Sequence, residues 1–295
     1  MSCKKNGSPI VLLIIFIAIF IANAKAEDLE GVNISTEGKG ATVIFIPGLN
    51  SASDVFKDSC IATKAQYQCL LLQLPGFAGS KPVANNNSDF LIDMRDRIEK
   101  VIQHKKLTKV ILVGHSLGGT LSLMIAQHQP ELVTKLIILD ALPFYSAIQN
   151  PAMTAELMQP QAEQMRSAML RQTPAEYLQY AAQSFAGMTN QPERIATLTD
   201  WLKSSDRATT ANAMYSMMLT DLRKNLSGIK APTLVLGSWA AFKPYGATQD
   251  STKAIFTAQY AELKQADIRM SETGYHFLMW DDAAWVNQQI LTFLK

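Results

Sequence analysis

Six short runs of apolar residues recur along the chain: "TVIFIPG", "CLLLQLPG", "KVILVGHS", "KLIILD", "TLVLGS" and "DIRMSE". Most are apolar at every position rather than at alternate ones. This is the pattern of strands covered by helices on both faces. Between them the spacing of apolar positions changes to about 3.6, which predicts helices over roughly 54–65, 88–104, 117–128, 250–264 and 281–294. Strand alternating with helix predicts an α/β fold with a doubly wound, mostly parallel sheet. From about 144 to 228 the alternation stops. "AELMQPQAEQMRSAMLRQ" and "TTANAMYSMMLTDLRK" read as helices with no strand between them, so a helical insertion is expected between two strands of the sheet. Its methionines fill an adaptable apolar surface or an ordinary helical core.

The first residues are different in kind. Lys4 and Lys5 precede "PIVLLIIFIAIFIANA", and Ala24 and Ala26 frame Lys25. A basic start, an apolar stretch and an A-x-A ending read as an export signal over 1–26, cut after Ala26. The run is short for a membrane span, and its ending favours cleavage over a retained anchor. The remaining 27–295 is then one domain, exported to a periplasm or secreted, with no stable membrane insertion.

Composition narrows the partners. Hydrophobic residues make up 48% and charged residues 18%, as in a globular protein with a sizeable core. The signal segment holds three of the 27 Lys+Arg and none of the 25 Asp+Glu, so its removal takes the net charge from +2 to −1. Near neutrality without a basic block offers no electrostatic footprint for nucleic acid. Cys60 and Cys69 remain after Cys3 leaves with the signal. An even pair in an oxidising compartment makes a disulfide an open possibility. No Cys/His cluster suggests a metal site, and no cofactor is expected.

The candidate chemistry lies in "KVILVGHSLGGTLSLMIAQH", where a buried strand becomes a helix through Gly114-His115-Ser116-Leu117-Gly118. Such a turn holds a serine on a strained elbow above the sheet, where an adjacent base can activate it. The chain has four histidines. His104 neighbours Lys105 and Lys106 at a helix end, His128 lies near the far end of the helix after the elbow, and the His115 side chain should point away from that of Ser116. His276, in "SETGYHFLMWDD", follows the last strand at the carboxyl edge of the sheet, where α/β sheets place their sites. It is the expected base. An oxyanion needs two N–H donors. These are expected from Leu117, just after the nucleophile, and from Leu49 in "IPGLNSASDVF", where Gly48 permits a close approach.

The elbow, the chain order serine, acid, histidine, the loop after the first strong strand and the helical insertion together resemble the α/β-hydrolase superfamily over essentially the whole chain after the signal. The sequence looks like its capped single-domain hydrolases, and "PGFAGSKP", "LDALPF" and "YHFLMWDD" are similar to a poorly characterised exported branch. One departure is Pro47-Gly48, where that loop often begins His-Gly; a backbone donor survives the change. The resemblance places the triad's acid at one of two strand ends. After "TLVLGS" the chain has no carboxylate until Asp250, whereas the strand following the elbow ends in Asp140. Asp140 is the expected acid, with Asp250 the alternative. The resemblance implies a serine hydrolase acting through an acyl-enzyme on a small-molecule carboxylic ester or related acyl compound. A perhydrolase or lactonase variant of that chemistry, or an inactive binding protein on the same fold, is the alternative. Serine at the elbow argues against haloalkane dehalogenation, which uses a carboxylate there. The oligomeric state is left open.

Overall fold

The computed structural model describes residues 25–84 and 89–295. The expected signal segment, apart from Lys25 and Ala26, lies outside the described residues. Eight strands form one sheet: β1 Lys25–Leu29, β2 Val32–Gly38, β3 Ala41–Ile46, β4 Tyr67–Gln73, β5 Val110–His115, β6 Val133–Leu139, β7 Thr233–Gly237 and β8 Ala266–Met270. Their order is β1-β2-β4-β3-β5-β6-β7-β8. The ladders from β4 to β8 are parallel, and β1 and β2 are antiparallel to their neighbours. The six anticipated strands are present. The hairpin of β1 and β2 was not anticipated, because "KAEDL" carries no apolar run and β2 only a half-buried one.

The apolar runs divide between two cores with the period of a strand. Ile44, Ile46, Leu70, Leu72, Leu112, Leu136, Ile138 and Val235 face one side. Val43, Phe45, Cys69, Leu71, Val113, Ile137, Leu139 and Leu234 face the other. Successive side chains of a strand leave opposite faces, so a strand apolar at every position must be covered twice. On the first side the cover is α2 Phe90–His104, α3 Leu117–His128 and α8 Gln249–Gln259, which supply Met94, Ile98, Leu121, Ile125 and Phe256. On the second it is α1 Lys57–Thr63, α9 Leu278–Asp281 and α10 Ala283–Leu294, with Cys60, Leu278, Val286 and Ile290. The C-terminal helix expected over 281–294 is α10, and the short α9 precedes it, separated by Asp282.

Between β6 and β7 stand four helices: α4 Ala155–Arg171, α5 Pro174–Phe185, α6 Pro192–Ser204 and α7 Arg207–Leu219. This insertion does not fold apart from the sheet. Ala213 and Met217 of α7 join the first core, while Tyr177 of α5 and Leu198 and Leu202 of α6 join the second. Met158, Ala162 and Met218 form a small cluster of their own between α4 and α7.

The disulfide considered for Cys60 and Cys69 is not formed; both are buried free thiols. Cys69 Sγ donates to the Cys60 carbonyl oxygen at 3.5 Å and lies 3.3 Å from Thr63 Oγ1. A hydrogen bond with Cys69 and burial push the Cys60 thiol above its usual range. The hydrogen bond with Cys60 in turn holds the Cys69 thiol below its usual range, against the opposing effect of burial.

Candidate active site

β5 ends at His115 and α3 begins at Leu117, which leaves Ser116 alone at the corner with φ 54° and ψ −121°. A non-glycine residue in such a conformation stores about 1–3 kcal/mol and persists only when its surroundings hold it. Here the Ser116 N–H donates to the Leu139 carbonyl at 3.0 Å, and the Ser116 carbonyl accepts from Gly119 at 2.8 Å. The flanking glycines are required by contact. A Cβ on Gly118 would stand 2.0 Å from the Ile46 carbonyl oxygen, and one on Gly114 would stand 2.2 Å from the Gly118 carbonyl oxygen. The elbow is thus backbone packed on backbone. Leu117 opens α3, so its N–H belongs to the first turn, where helical donors have no partner within the helix.

Asp140 stands at the equivalent corner of the next strand. It follows β6 with φ 45°, and its N–H donates to Leu236 at 2.7 Å. Its Oδ1 accepts from the Ser238 N–H at 2.8 Å, and its Oδ2 accepts from Ser238 Oγ at 2.9 Å and from His276 Nδ1 at 2.7 Å. Asp140 and His276 are therefore brought together, 13% and 28% exposed in their side chains. Asp250 is not at the site: it lies on the surface in the first turn of α8. Ser238 occupies the end of β7, the other strand end considered for an acid. In place of a carboxylate, this chain puts there two donors to the carboxylate of the adjacent strand. Tyr260, buried just after the end of α8, donates to the Ala141 carbonyl at 2.8 Å and steadies the turn behind Asp140. Burial, then the Asp140 charge, raises its phenol well above the usual range. Sequence reasoning missed both Ser238 and Tyr260. The serine closing "TLVLGS" was the available signal for the first, and the tyrosine had none.

The loop after β3 is pressed onto the elbow. A Cβ on Gly48 would meet Ser116 Cβ and His115 Nδ1, each at 3.1 Å. The turn is closed by Ser51 N–H to the Gly48 carbonyl at 3.2 Å, with half-buried Leu49 inside it. Asn50 holds φ 57°, and its Oδ1 accepts from Thr210 of α7 at 2.6 Å. The insertion grips the other side of the site too. Phe277 N–H donates to Met188 at 2.9 Å, and the Phe277 ring stacks on Trp280 at 4.5 Å, with Trp201 of α6 5.3 Å from Trp280. Asp281 accepts from Thr189 Oγ1 at 2.6 Å and from Tyr275 N–H at 2.9 Å.

The remaining histidines sort by burial. His104 and His128 are on the surface beside Glu30 and Glu99. His115, expected to turn away from Ser116, is buried with its Nε2 2.9 Å from the His276 carbonyl oxygen. Among the described residues no group of three or more His, Cys, Asp or Glu side chains is arranged to hold a metal ion.

Compared with known proteins, residues 41–241 match the family model described as the alpha/beta hydrolase fold. A 2-hydroxy-6-oxononadienedioate/2-hydroxy-6-oxononatrienedioate hydrolase from a Pseudomonas species is 22% identical over 290 residues, which cover 93% of this chain and 95% of that protein. A pimeloyl-[acyl-carrier protein] methyl ester esterase from Shewanella oneidensis is 26% identical over 216 residues, covering 72% and 78%. The crystal structure of a hydrolase from Pseudomonas aeruginosa superposes with a TM-score of 0.74 at 14% identity, covering 93% of this chain and 99% of that one.

Proposed function

Since the chain belongs to the alpha/beta hydrolase fold family, we propose that it is a metal-independent serine hydrolase acting on a carboxylic ester or a related acyl compound. The observation that carries the proposal is the 2.7 Å pair of Asp140 Oδ2 with His276 Nδ1, at the same sheet edge as a serine held at φ 54°. A carboxylate accepts the Nδ1 hydrogen and thereby fixes the tautomer, which leaves Nε2 as the basic nitrogen.

Ser116 Oγ attacks the acyl carbon while His276 Nε2 takes its proton. The oxyanion that forms is held by the Leu49 and Leu117 N–H groups and by the positive end of α3. As the carbonyl reforms, the bond to the leaving oxygen breaks and His276 returns the proton to it. A water molecule, deprotonated by His276, then attacks the acyl carbon. As the carbonyl reforms, the bond to Ser116 Oγ breaks, His276 returns the proton to Oγ, and the acid is released. Asp140 stays ionised throughout and stabilises the imidazolium.

Helices α4–α7 act in this reading as a cap that shapes an apolar acyl pocket, supported by their bonds to both loops of the site. The esterase named among the relatives is consistent with an ester substrate. The protein works outside the cytoplasm once residues 1–26 are removed. A fluorophosphonate should label the protein once, and Ser116→Ala should abolish the label together with turnover of p-nitrophenyl esters of graded chain length. Labelling that survives in Ser116→Ala refutes the nucleophile. A wild-type protein that neither labels nor hydrolyses is a binding protein on this fold.

A further inference from the structure

His115 is the buried titratable group that the proposed reaction leaves without a role, and three parts of the site meet on its ring. It is 1% exposed and directly precedes Ser116. Its Nε2 lies 2.9 Å from the main-chain oxygen of His276, and a carbonyl oxygen can only accept, so Nε2 carries a hydrogen. The ring packs 4.6 Å from the His276 imidazole and 4.9 Å from the Phe277 ring, centroid to centroid. Its other nitrogen, Nδ1, has no hydrogen-bond partner among the described residues and faces Gly48, whose Cβ, were there one, would stand 3.1 Å away.

These contacts determine the ring's chemical state. A second proton would sit on Nδ1, against the Gly48 backbone with nothing to accept it and beside the imidazole that must become positive during turnover. Burial, followed by the charge of His276, accordingly holds His115 well below the usual histidine range. The ring is neutral, with its one hydrogen on Nε2.

A leucine or phenylalanine would fill the same space in the apolar core. Neither would bond the His276 carbonyl, whose residue follows no strand or helix directly and gains its order from its neighbours. We infer that His115 is a positioning residue for the base: its Nε2–H clamps the His276 main chain, while Asp140 holds that residue's side chain at Nδ1. One clamp on the backbone and one on the ring leave the imidazole a single orientation toward Ser116. The kinetic consequence rests on the hydrolase reading; the geometry does not.

The experiment compares His115→Gln, which keeps an N–H donor at similar reach, with His115→Leu, which keeps volume alone. Three quantities are read on the signal-free protein: kcat and KM for p-nitrophenyl butyrate, the low-field proton NMR resonance of His276 Nδ1–H, and the thermal midpoint. His115→Leu should lower kcat by about 10- to 100-fold, the size of effect that a small misplacement of a reacting group produces. KM should change little, and the low-field resonance should broaden or vanish. His115→Gln should recover most of kcat and the resonance. The inference is overturned if His115→Leu keeps wild-type kcat and resonance, or if both variants are equally impaired with the resonance intact. If His115→Leu fails to fold, His115→Asn, too short to reach the carbonyl, takes its place against His115→Gln. If the wild type shows no serine-dependent labelling or turnover, the hydrolase reading has failed, and the resonance in the variants alone decides the clamp.

Discussion

At the carboxyl edge of the sheet, Asn50, Ser116 and Asp140 hold conformations that side chains avoid, at φ 57°, 54° and 45°. Each lies in or beside the proposed site, and each is tied by hydrogen bonds to a neighbouring strand or helix. Strain of this kind survives because the surroundings over-determine it. Asp140 is the sharpest test of the arrangement. Asp140→Asn keeps the shape of the side chain but puts an amide where the His276 Nδ1 hydrogen needs an acceptor. Turnover should fall by about 10³- to 10⁴-fold, as with loss of a triad carboxylate elsewhere, while Asp250→Asn on the surface changes it little. The reverse pattern would move the acid to Asp250. His115 makes a prediction about stability. Its folded-state pKa lies well below 6.5 and its unfolded value near 6.5. Below pH 6.5 the unfolded chain therefore binds a proton that the native protein does not. Stability should fall as pH drops through that window, by at most about 1.4 kcal/mol per pH unit. Urea unfolding between pH 5 and 7 should show a shallower slope in His115→Gln; identical slopes in the two proteins would mean that the ring is charged in the native state.

At the scale of elements, the site is where β5, β6, β7 and the segment after β8 end side by side, joined to one another by backbone. Ser116 bonds to the residue before Asp140, Asp140 to the residue before Gly237, and Ser271 to Gly237 at 3.0 Å. The parallel register thus brings Ser116, Asp140, Ser238 and His276, the residues of the proposed site, to one edge. Besides the apolar packing of α5 and α6 against Phe277 and Trp280, the insertion meets this edge through small, specific contacts. Gly76 and Asp206, joined by N–H to carbonyl at 2.7 Å, tie the loop after β4 to the corner between α6 and α7. Thr210, 1% exposed, reaches Asn50 in the loop after β3. Thr210→Val preserves shape and removes that donor, which should cost about 1–3 kcal/mol if the Asn50 oxygen is left unpaired. If α7 covers the substrate, KM for a p-nitrophenyl ester should rise more than kcat falls. A lower melting temperature with both constants unchanged would assign the contact to stability alone.

For the whole molecule, one sheet separates two cores, and the insertion contributes to both. That links the fold's stability to the insertion, since α6 cannot lift away without uncovering Leu198 and Leu202 in the second core. The N-terminus bears on a different property, the compartment. β1 begins at Lys25 and pairs with β2 through Lys25↔Thr36, Ala26↔Ser35, Glu27↔Ile34, Asp28↔Asn33 and Leu29↔Val32. Cleavage after Ala26 removes the first two of these and keeps the last three at the edge of the sheet. N-terminal sequencing of protein expressed from the full chain and recovered outside the cytoplasm should read Glu27-Asp28-Leu29. Protein found only in the cytoplasm or membrane fraction, or with a mass that includes residues before Glu27, would contradict export with cleavage.

The alternation of doubly buried strands with helices, the elbow around Ser116 and the place of His276 after the final strand are local patterns, so they were legible in the sequence. A strand buried on both faces must be apolar throughout, and a serine at a strand-to-helix corner needs its glycines at fixed spacing. The break after 144 revealed the insertion for the same reason. What the sequence left open were pairings between distant residues. Asp140 and Asp250 are both carboxylates after strands, and only the parallel register of β6 against β7 puts Ser238 on Asp140, as that of β7 against β8 carries the segment holding His276 to within 2.7 Å of it. The β1–β2 hairpin has no apolar run to announce it and exists because β4 offers an edge to pair with. His115 lies next to Ser116 and gave no sign of its contact with His276, 161 residues away. Hydrophobic period is written into neighbouring residues, whereas a hydrogen bond between loops depends on where the folded sheet carries their ends. Only the tertiary structure decides that.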